Sequence, residues 1–385
     1  MSIPYGDPRH PFHKKAAFDL GDVGAGIMAN NLALGCDCLG SIHYLNGLIC
    51  DTHGQPIEMP NAVCVHEQDA GIGWKHTNYR TGRASVVRNR ELVLQSIITV
   101  ANYEYILAWV FNQAGAVDYE VRATGILSTQ PIDEGVSVPW GTVVHPGVLA
   151  AHHQHIFSLR VDPMLDGHAN RLVYSEVKAM PIDDFNPHGV GYFTTETPVE
   201  TSCGIDADYV TNRVFKIQNV ESRNPVNGLP VAYKIHAPPF QKMVAHPTSF
   251  HHKRAEFADH DIYVVRHHDD ELYAAGKYTN QSRGGEGVRS WAARKENILD
   301  EDIVVYIQFG LQHVPRIEDF PVMPCEILRV GLKPVNFFDR NPALDVPPSE
   351  QRFNKSVLIA EQHQQAGGVE GVVDGDGETC CKSRL

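Results

Sequence analysis

Ile98-Thr99-Val100-Ala101-Asn102-Tyr103-Glu104-Tyr105-Ile106-Leu107-Ala108-Trp109 is rich in β-branched and aromatic residues and contains neither Gly nor Pro, so it reads as strand. With a period of two, Tyr103, Tyr105, Leu107, Trp109 and Phe111 share one face. The other face is apolar too, which predicts burial between two layers. In isolation Tyr103 reads as a core tyrosine whose hydroxyl finds a partner.

The same pattern recurs outward from this stretch. Residues 62–66, 91–100, 103–112, 117–124, 148–162, 262–266 and 303–310 all read as strands. Asn112-Gln113-Ala114-Gly115 is a hairpin turn between two of them. Residues 1–60 are dense in Gly, Pro and Asn and read as loops and short strands at a sheet edge. Convincing long helices are few. The expected fold is therefore mainly β, a large antiparallel β-sandwich with few short helices. We expect one domain over residues 1–353. Residues 354–385 then form a tail, a short helix-like piece followed by a Gly- and acid-rich flexible segment.

Composition narrows the function classes. The chain has 385 residues, 43% hydrophobic and 21% charged, with a net charge of −13. A sizeable core is expected, and nucleic acid and anionic membrane surfaces are disfavoured as partners. No apolar run approaches transmembrane length. Met1-Ser2-Ile3-Pro4-Tyr5-Gly6-Asp7 offers no apolar segment of a secretory signal. Gly21-Asp22-Val23-Gly24-Ala25-Gly26 lacks the strand–turn–helix setting and glycine order of a dinucleotide fingerprint. The eight cysteines show no paired Cys-x-x-Cys spacing, which argues against a structural zinc site.

The richest chemistry lies in the histidines. In a strand, His153 and His155 of His153-Gln154-His155 point to the same side and converge on one point, which suits a transition metal. With 21 His in the chain such a triplet needs its strand context, which residues 148–162 supply. Two imidazoles rarely hold such a metal alone, and His313, after the strong strand 303–309, is the candidate third ligand.

Thr99-x-x-Asn102-Tyr103-Glu104, His153-Gln154-His155 and His313 with the following Arg316-Ile317-Glu318-Asp319-Phe320-Pro321-Val322-Met323-Pro324 together resemble the copper amine oxidases. The resemblance extends over about residues 4 to 345. It implies that Tyr103 is the precursor of a topaquinone, formed in place by copper and dioxygen, and that His153, His155 and His313 bind the copper. Asp19, which alone reads as a turn or capping residue, then matches the base that removes the α-proton of the amine, and a carboxylate in an apolar pocket is suited to that work near neutral pH. Tyr5 matches the tyrosine that hydrogen-bonds the quinone oxygen, and Asn102 the residue that orients the bound substrate. Ala17 stands at the family's gate position, often Tyr, and implies a wider channel mouth.

Further implications follow from the same resemblance. Cys38 and Cys64 match a cysteine pair bridged in several members, while Cys36 reads as a free buried thiol. Asp162 and Asp302 match ligands of a second site, for calcium or, with Met164 replacing a further acid, sodium. The expected reaction converts a primary amine, dioxygen and water to an aldehyde, ammonia and hydrogen peroxide, in a homodimer. The alternative is a catalytically incomplete copper-binding β-sandwich, since members carry further sequence before the Pro4-Tyr5-Gly6 motif. Ser383-Arg384-Leu385 is a conservative variant of the Ser-Lys-Leu address, so the expected compartment is the peroxisome, reached through its import receptor.

Overall fold

The computed structural model describes residues 2–3, 8, 19–280 and 282–359. Its first strands are β1 (Ser2–Ile3), β2 (Ile42–Cys50), β3 (Pro56–Thr77), β4 (Ala84–Val100), β5 (Tyr103–Asn112) and β6 (Val117–Ile126). Then come β7 (Thr129–Pro131), β8 (Gly141–His145), β9 (Val148–Ala151), β10 (His153–Val161), β11 (Arg171–Ala179) and β12 (Tyr192–Pro198). The last are β13 (Cys203–Ile205), β14 (Val214–Arg223), β15 (Pro230–His236), β16 (Ile262–Arg266), β17 (Ile303–His313) and β18 (Val322–Val335). The helices are short: α1 (Asp19–Asp22), α2 (Ala25–Met28), α3 (Phe250–Arg254), α4 (Val288–Ala292) and α5 (Gln351–Asn354). Among the described residues, no helix is long and apolar enough to cross a membrane.

The strands form a ten-stranded sheet in the order β12-β11-β14-β15-β18-β6-β5-β4-β3-β2 and a five-stranded sheet in the order β1-β10-β17-β16-β13. A small third sheet, β7-β9-β8, lies beside them. The chemistry of β17 explains the layering. Ile303 to Phe309 are apolar or aromatic apart from Gln308, and all seven are buried, as expected of a strand covered on both faces. Ile303, Val305, Ile307 and Phe309 pack with Tyr103, Tyr105 and Val121 of the large sheet. Val304 and Tyr306 pack the other way, against Phe257, Val288 and Trp291. The five-stranded sheet is thus the middle layer, and the expected antiparallel sandwich is what forms.

Several expectations are corrected. The stretch 98–109 is a hairpin corner, not one strand: Val100 pairs with Tyr103 across a two-residue loop. Ala101 takes φ 54° there, a conformation that no alanine advertises in sequence. The segment 148–162 breaks at His152, whose N–H donates to the Trp140 carbonyl at 2.9 Å, so that β9 and β10 enter different sheets. Burial of the odd face of β5 holds for Tyr103 and Tyr105 but fails further on, where Trp109 is 40% exposed. The loop Asn112 to Gly115 closes as expected, with Asn112 Oδ1 accepting from the Ala114 and Ala116 N–H groups. The short helix α5 ends at Asn354, and the helix-like piece expected beyond it falls almost wholly outside the described residues, with only Ile359 described as helical.

Ile307 is completely buried in the middle layer. Ile307→Ala is expected to cost about 2–5 kcal/mol, seen as a lower urea midpoint at unchanged slope. Leu48→Ala, at a site 76% exposed, should stay within about 0.5 kcal/mol.

Candidate metal centre

The pairing of β10 with β17 builds the centre. His153 stands directly opposite His313 and His155 opposite Leu311, so all three imidazoles emerge on the face that meets the large sheet. All are buried. Their ligand atoms lie within 4.8 Å of one another. His153 Nε2 is 2.9 Å from His155 Nε2 and 3.2 Å from His313 Nδ1. Such separations suit nitrogens that each sit about 2 Å from one ion.

The remaining ring nitrogens are tied back. His153 Nδ1 donates to the Ala151 carbonyl at 2.8 Å. His155 Nδ1 is 2.6 Å from the Tyr105 hydroxyl. His313 Nε2 donates to Asp319 Oδ2 at 3.2 Å. Partners of this kind fix tautomer and ring orientation and raise ligand basicity. Burial pushes His153 down to about 3 and His155 far below the ordinary imidazole value, so both stay neutral with lone pairs to offer. Burial would raise Asp319, but the Arg316 N–H, His313 and the Arg316 guanidinium outweigh it and hold the carboxyl below its usual range. The donor set therefore fits a first-row transition metal with a preference for imidazole, copper among them.

Tyr103 completes the arrangement. It is buried at the start of β5, with its hydroxyl 3.1 Å from His153 Nε2. Its ring meets His155 edge-on, centroids 4.9 Å apart. Gly125 stands opposite it in β6 at φ 110°. A Cβ on Gly125 would come within 2.9 Å of Tyr103 Cα and 2.5 Å of the Asn102 oxygen, so only glycine lets this backbone close up. Thr99 Oγ1, 2.8 Å from Glu104 Oε2, clasps the two sides of the hairpin.

Sequence reasoning missed three residues. Tyr105 and Asp319 are the partners that orient His155 and His313. Gln154 points away from the centre, donates to the Gln241 and Lys242 carbonyls and accepts from the Val244 N–H, which anchors the ligand strand from behind. Tyr105 shares the face of Tyr103 by period two, and that signal was open to use. Asp319 and Gln154 carry no signal beyond lying within the motifs.

The other expected residues are dispersed. Asn102 is exposed in the hairpin loop. Asp19 opens α1, and only its backbone is described. Tyr5, Ala17 and Ser383-Arg384-Leu385 lie outside the described residues. Asp162 and Asp302 flank His267 at the far end of the β10·β17 pair: His267 Nε2 is 3.4 Å from Asp162, and its Nδ1 4.0 Å from Asp302. Arg160 also contacts Asp162, at 3.0 Å. Cys38 and Cys64 are buried in one cluster but stand as free thiols, not as the bridge the resemblance implies. Burial, with Cys38 alongside, raises Cys64 to about 12. Cys36 is exposed rather than buried.

Three tied imidazoles facing one point, with a buried tyrosine against one of them in the seam of an antiparallel β-sandwich, define a mononuclear trihistidine metalloprotein. The model of the copper amine oxidase enzyme domain matches residues 1–353. The chain belongs to that family, whose members use copper and topaquinone. It is 48% identical over 360 residues to copper amine oxidase 1 of Aspergillus niger, covering 93% of this chain and 54% of that protein. It is 41% identical to the peroxisomal primary amine oxidase of Pichia angusta, covering 91% and 52%. Among solved structures, a copper-containing benzylamine oxidase from Hansenula polymorpha superposes with a TM-score of 0.88 at 50% identity, covering 91% of this chain and 55% of that one. The chain spans about half the length of the curated relatives it matches.

Removing the tether of a ligand should weaken the metal without deleting a ligand. Asp319→Ala is expected to lower Cu(II) affinity about 10- to 100-fold, with Tyr105→Phe moving it in the same direction. Competition against a chelator of known affinity measures both, and unchanged affinity would remove the tethering role.

Proposed function

We propose that the chain carries the site for oxidative deamination of primary amines: a primary amine, dioxygen and water give an aldehyde, ammonia and hydrogen peroxide. The observation that carries this reading is the Tyr103 hydroxyl, 3.1 Å from His153 Nε2 in a buried trihistidine cluster. His153, His155 and His313 would hold copper and Tyr103 would be the topaquinone precursor. Together these groups supply an electrophilic carbonyl for the amine and redox chemistry toward dioxygen. The chain's own residues do the rest. Asp19 accepts the α-proton of the substrate on its carboxylate. Tyr5 and Asn102 hold the cofactor and substrate in orientation. Tyr105 and Asp319 keep the imidazoles aligned, and burial of the cluster excludes bulk water.

The remaining roles belong to the same proposal. Asp162 and Asp302 offer hard oxygen ligands for calcium or sodium. A homodimer is the expected assembly. Ser383-Arg384-Leu385 addresses the protein to the peroxisome through the import receptor, in keeping with the peroxisomal relatives from Pichia angusta and Nicotiana tabacum. Deleting these three residues should disperse a fluorescent fusion from peroxisomes into the cytosol, and retention in the organelle would show that another signal acts.

The chemical test begins with Cu(II) added to the purified chain in air. A broad visible band that shifts with phenylhydrazine is expected, and Tyr103→Phe should bind copper yet stay colourless. Asp19→Asn should keep the quinone but lose about 10²- to 10⁴-fold in turnover. A wild-type chain that binds copper but gives no hydrazine adduct would overturn the reading.

A further inference from the structure

The element bearing Asp19 cannot position itself. α1 has four residues, far fewer than an isolated helix needs in water, so packing must set where it lies. One close contact is made at Gly21. A Cβ placed on Gly21 would stand 2.7 Å from Thr279 Oγ1, 3.2 Å from its Cγ2 and 3.3 Å from its Cβ. Thr279 therefore presses against α1 at the one residue with no side chain, two positions after Asp19.

Thr279 is itself held firmly. It is 7% exposed. Its carbonyl accepts from Arg254 Nη2 of α3 at 2.7 Å and from the Ser282 N–H at 3.0 Å. Its hydroxyl is buried and makes no hydrogen bond with any described residue, so it meets α1 through bulk rather than through a polar bond. Gly21 and Thr279 also share the wall of a cavity of about 670 Å³ that reaches Ile156 and Phe157, the residues following His155 in β10. The contact thus borders the same cavity as the strand that bears two of the ligands.

We propose that Thr279 is a positioning residue: its bulk against Gly21 sets how deeply α1 seats, and so where the helix holds Asp19 relative to the metal centre. The proposal rests on the reading of Asp19 as the base. It assigns no role to Thr279 in copper binding or in oxidation of Tyr103.

Gly21→Ala tests it. Alanine is the better helix former by about 1 kcal/mol, so a loss in this variant arises from the contact and not from propensity. Hydrogen exchange of the metal-free protein should become faster across residues 19–28. In the copper-loaded protein, phenylhydrazine-titratable quinone should stay at the wild-type level while kcat for a primary amine falls on the order of 10- to 100-fold. Thr279→Ala added to Gly21→Ala removes Oγ1 and Cγ2, the two nearest atoms, and should restore both exchange and kcat. Gly26→Ala, whose Cβ would meet only Ile49 at 3.8 Å, is the control and should match wild type. Wild-type exchange and kcat in Gly21→Ala, loss of its quinone, or failure of the second substitution to rescue it would each overturn the proposal. If the wild-type chain forms no quinone, the functional reading itself fails and this inference falls with it, an outcome distinct from the other three.

Discussion

The antiparallel register of β10 against β17 is the constraint on which the rest depends. With His153 opposite His313, three imidazoles share one face. A slip of one residue would turn His153 and His155 toward the opposite side of the middle layer. That side is already filled by Ile156, Tyr263, Val304 and Tyr306, so the slip would bury polar rings in an apolar cluster and turn the apolar set of β10 toward the centre. The register is also pinned directly. Ser158 Oγ donates to Gln308 Oε1 at 2.6 Å across the same strand pair, and Gln154 is bonded from behind. The ligands are precise because the residues between them face the other way and are committed there.

Burial sets the electrostatics of the centre. Neutral imidazoles pointing lone pairs at one another repel, and a low-dielectric surrounding strengthens that repulsion. A cation among them converts it to attraction, so the energy that closes the sandwich over the histidines also favours the metal. Binding and folding are then linked, because the unfolded chain offers no comparable convergence of ligands. The carboxylate of Asp319 adds to this without touching the centre, since its negative charge favours a positive ion beyond His313.

What was legible in the sequence follows from how far each signal reaches along the chain. His153 and His155 could be placed because period two is local. The apolar run at 303–309 was legible as a strand by composition alone; that it forms the middle layer was not. β18 did not read as strand, because Pro324, Gly331 and Pro334 interrupt it. In the structure Pro324 falls in a bulge, and Pro334 pairs only with β15, past the last pairing with β6, so neither missing N–H breaks the sheet. The break at residues 101–102 showed only as the gap between the segments 91–100 and 103–112; the positive φ of Ala101 that closes it stayed hidden because it is imposed by the pairing of β4 with β5, not by a turn residue. Tyr105 was within reach of the period-two pattern that places Tyr103, but its role comes from His155, fifty residues on, and Gln154 gains its own from residues 241–244; Asp319, only six residues from His313, carries no pattern that marks it as a tether.

The same geometry addresses why, of two tyrosines on one face of one strand, Tyr103 is the proposed precursor and Tyr105 is not. Tyr103 and Tyr105 sit two residues apart in β5, and His153 and His155 two residues apart in β10, so the sandwich brings the pairs together in step. Each hydroxyl meets an imidazole, yet a different edge of it. Tyr103 reaches Nε2 of His153, the nitrogen turned toward His155 and His313. Tyr105 reaches Nδ1 of His155, the nitrogen turned away from the convergence point. One tyrosine therefore lies where an ion and dioxygen would meet it, while the other lies behind a ligand, where it can only tune that ligand. Two chemically identical side chains with the same period and similar burial are separated in role by which nitrogen of its imidazole each one faces.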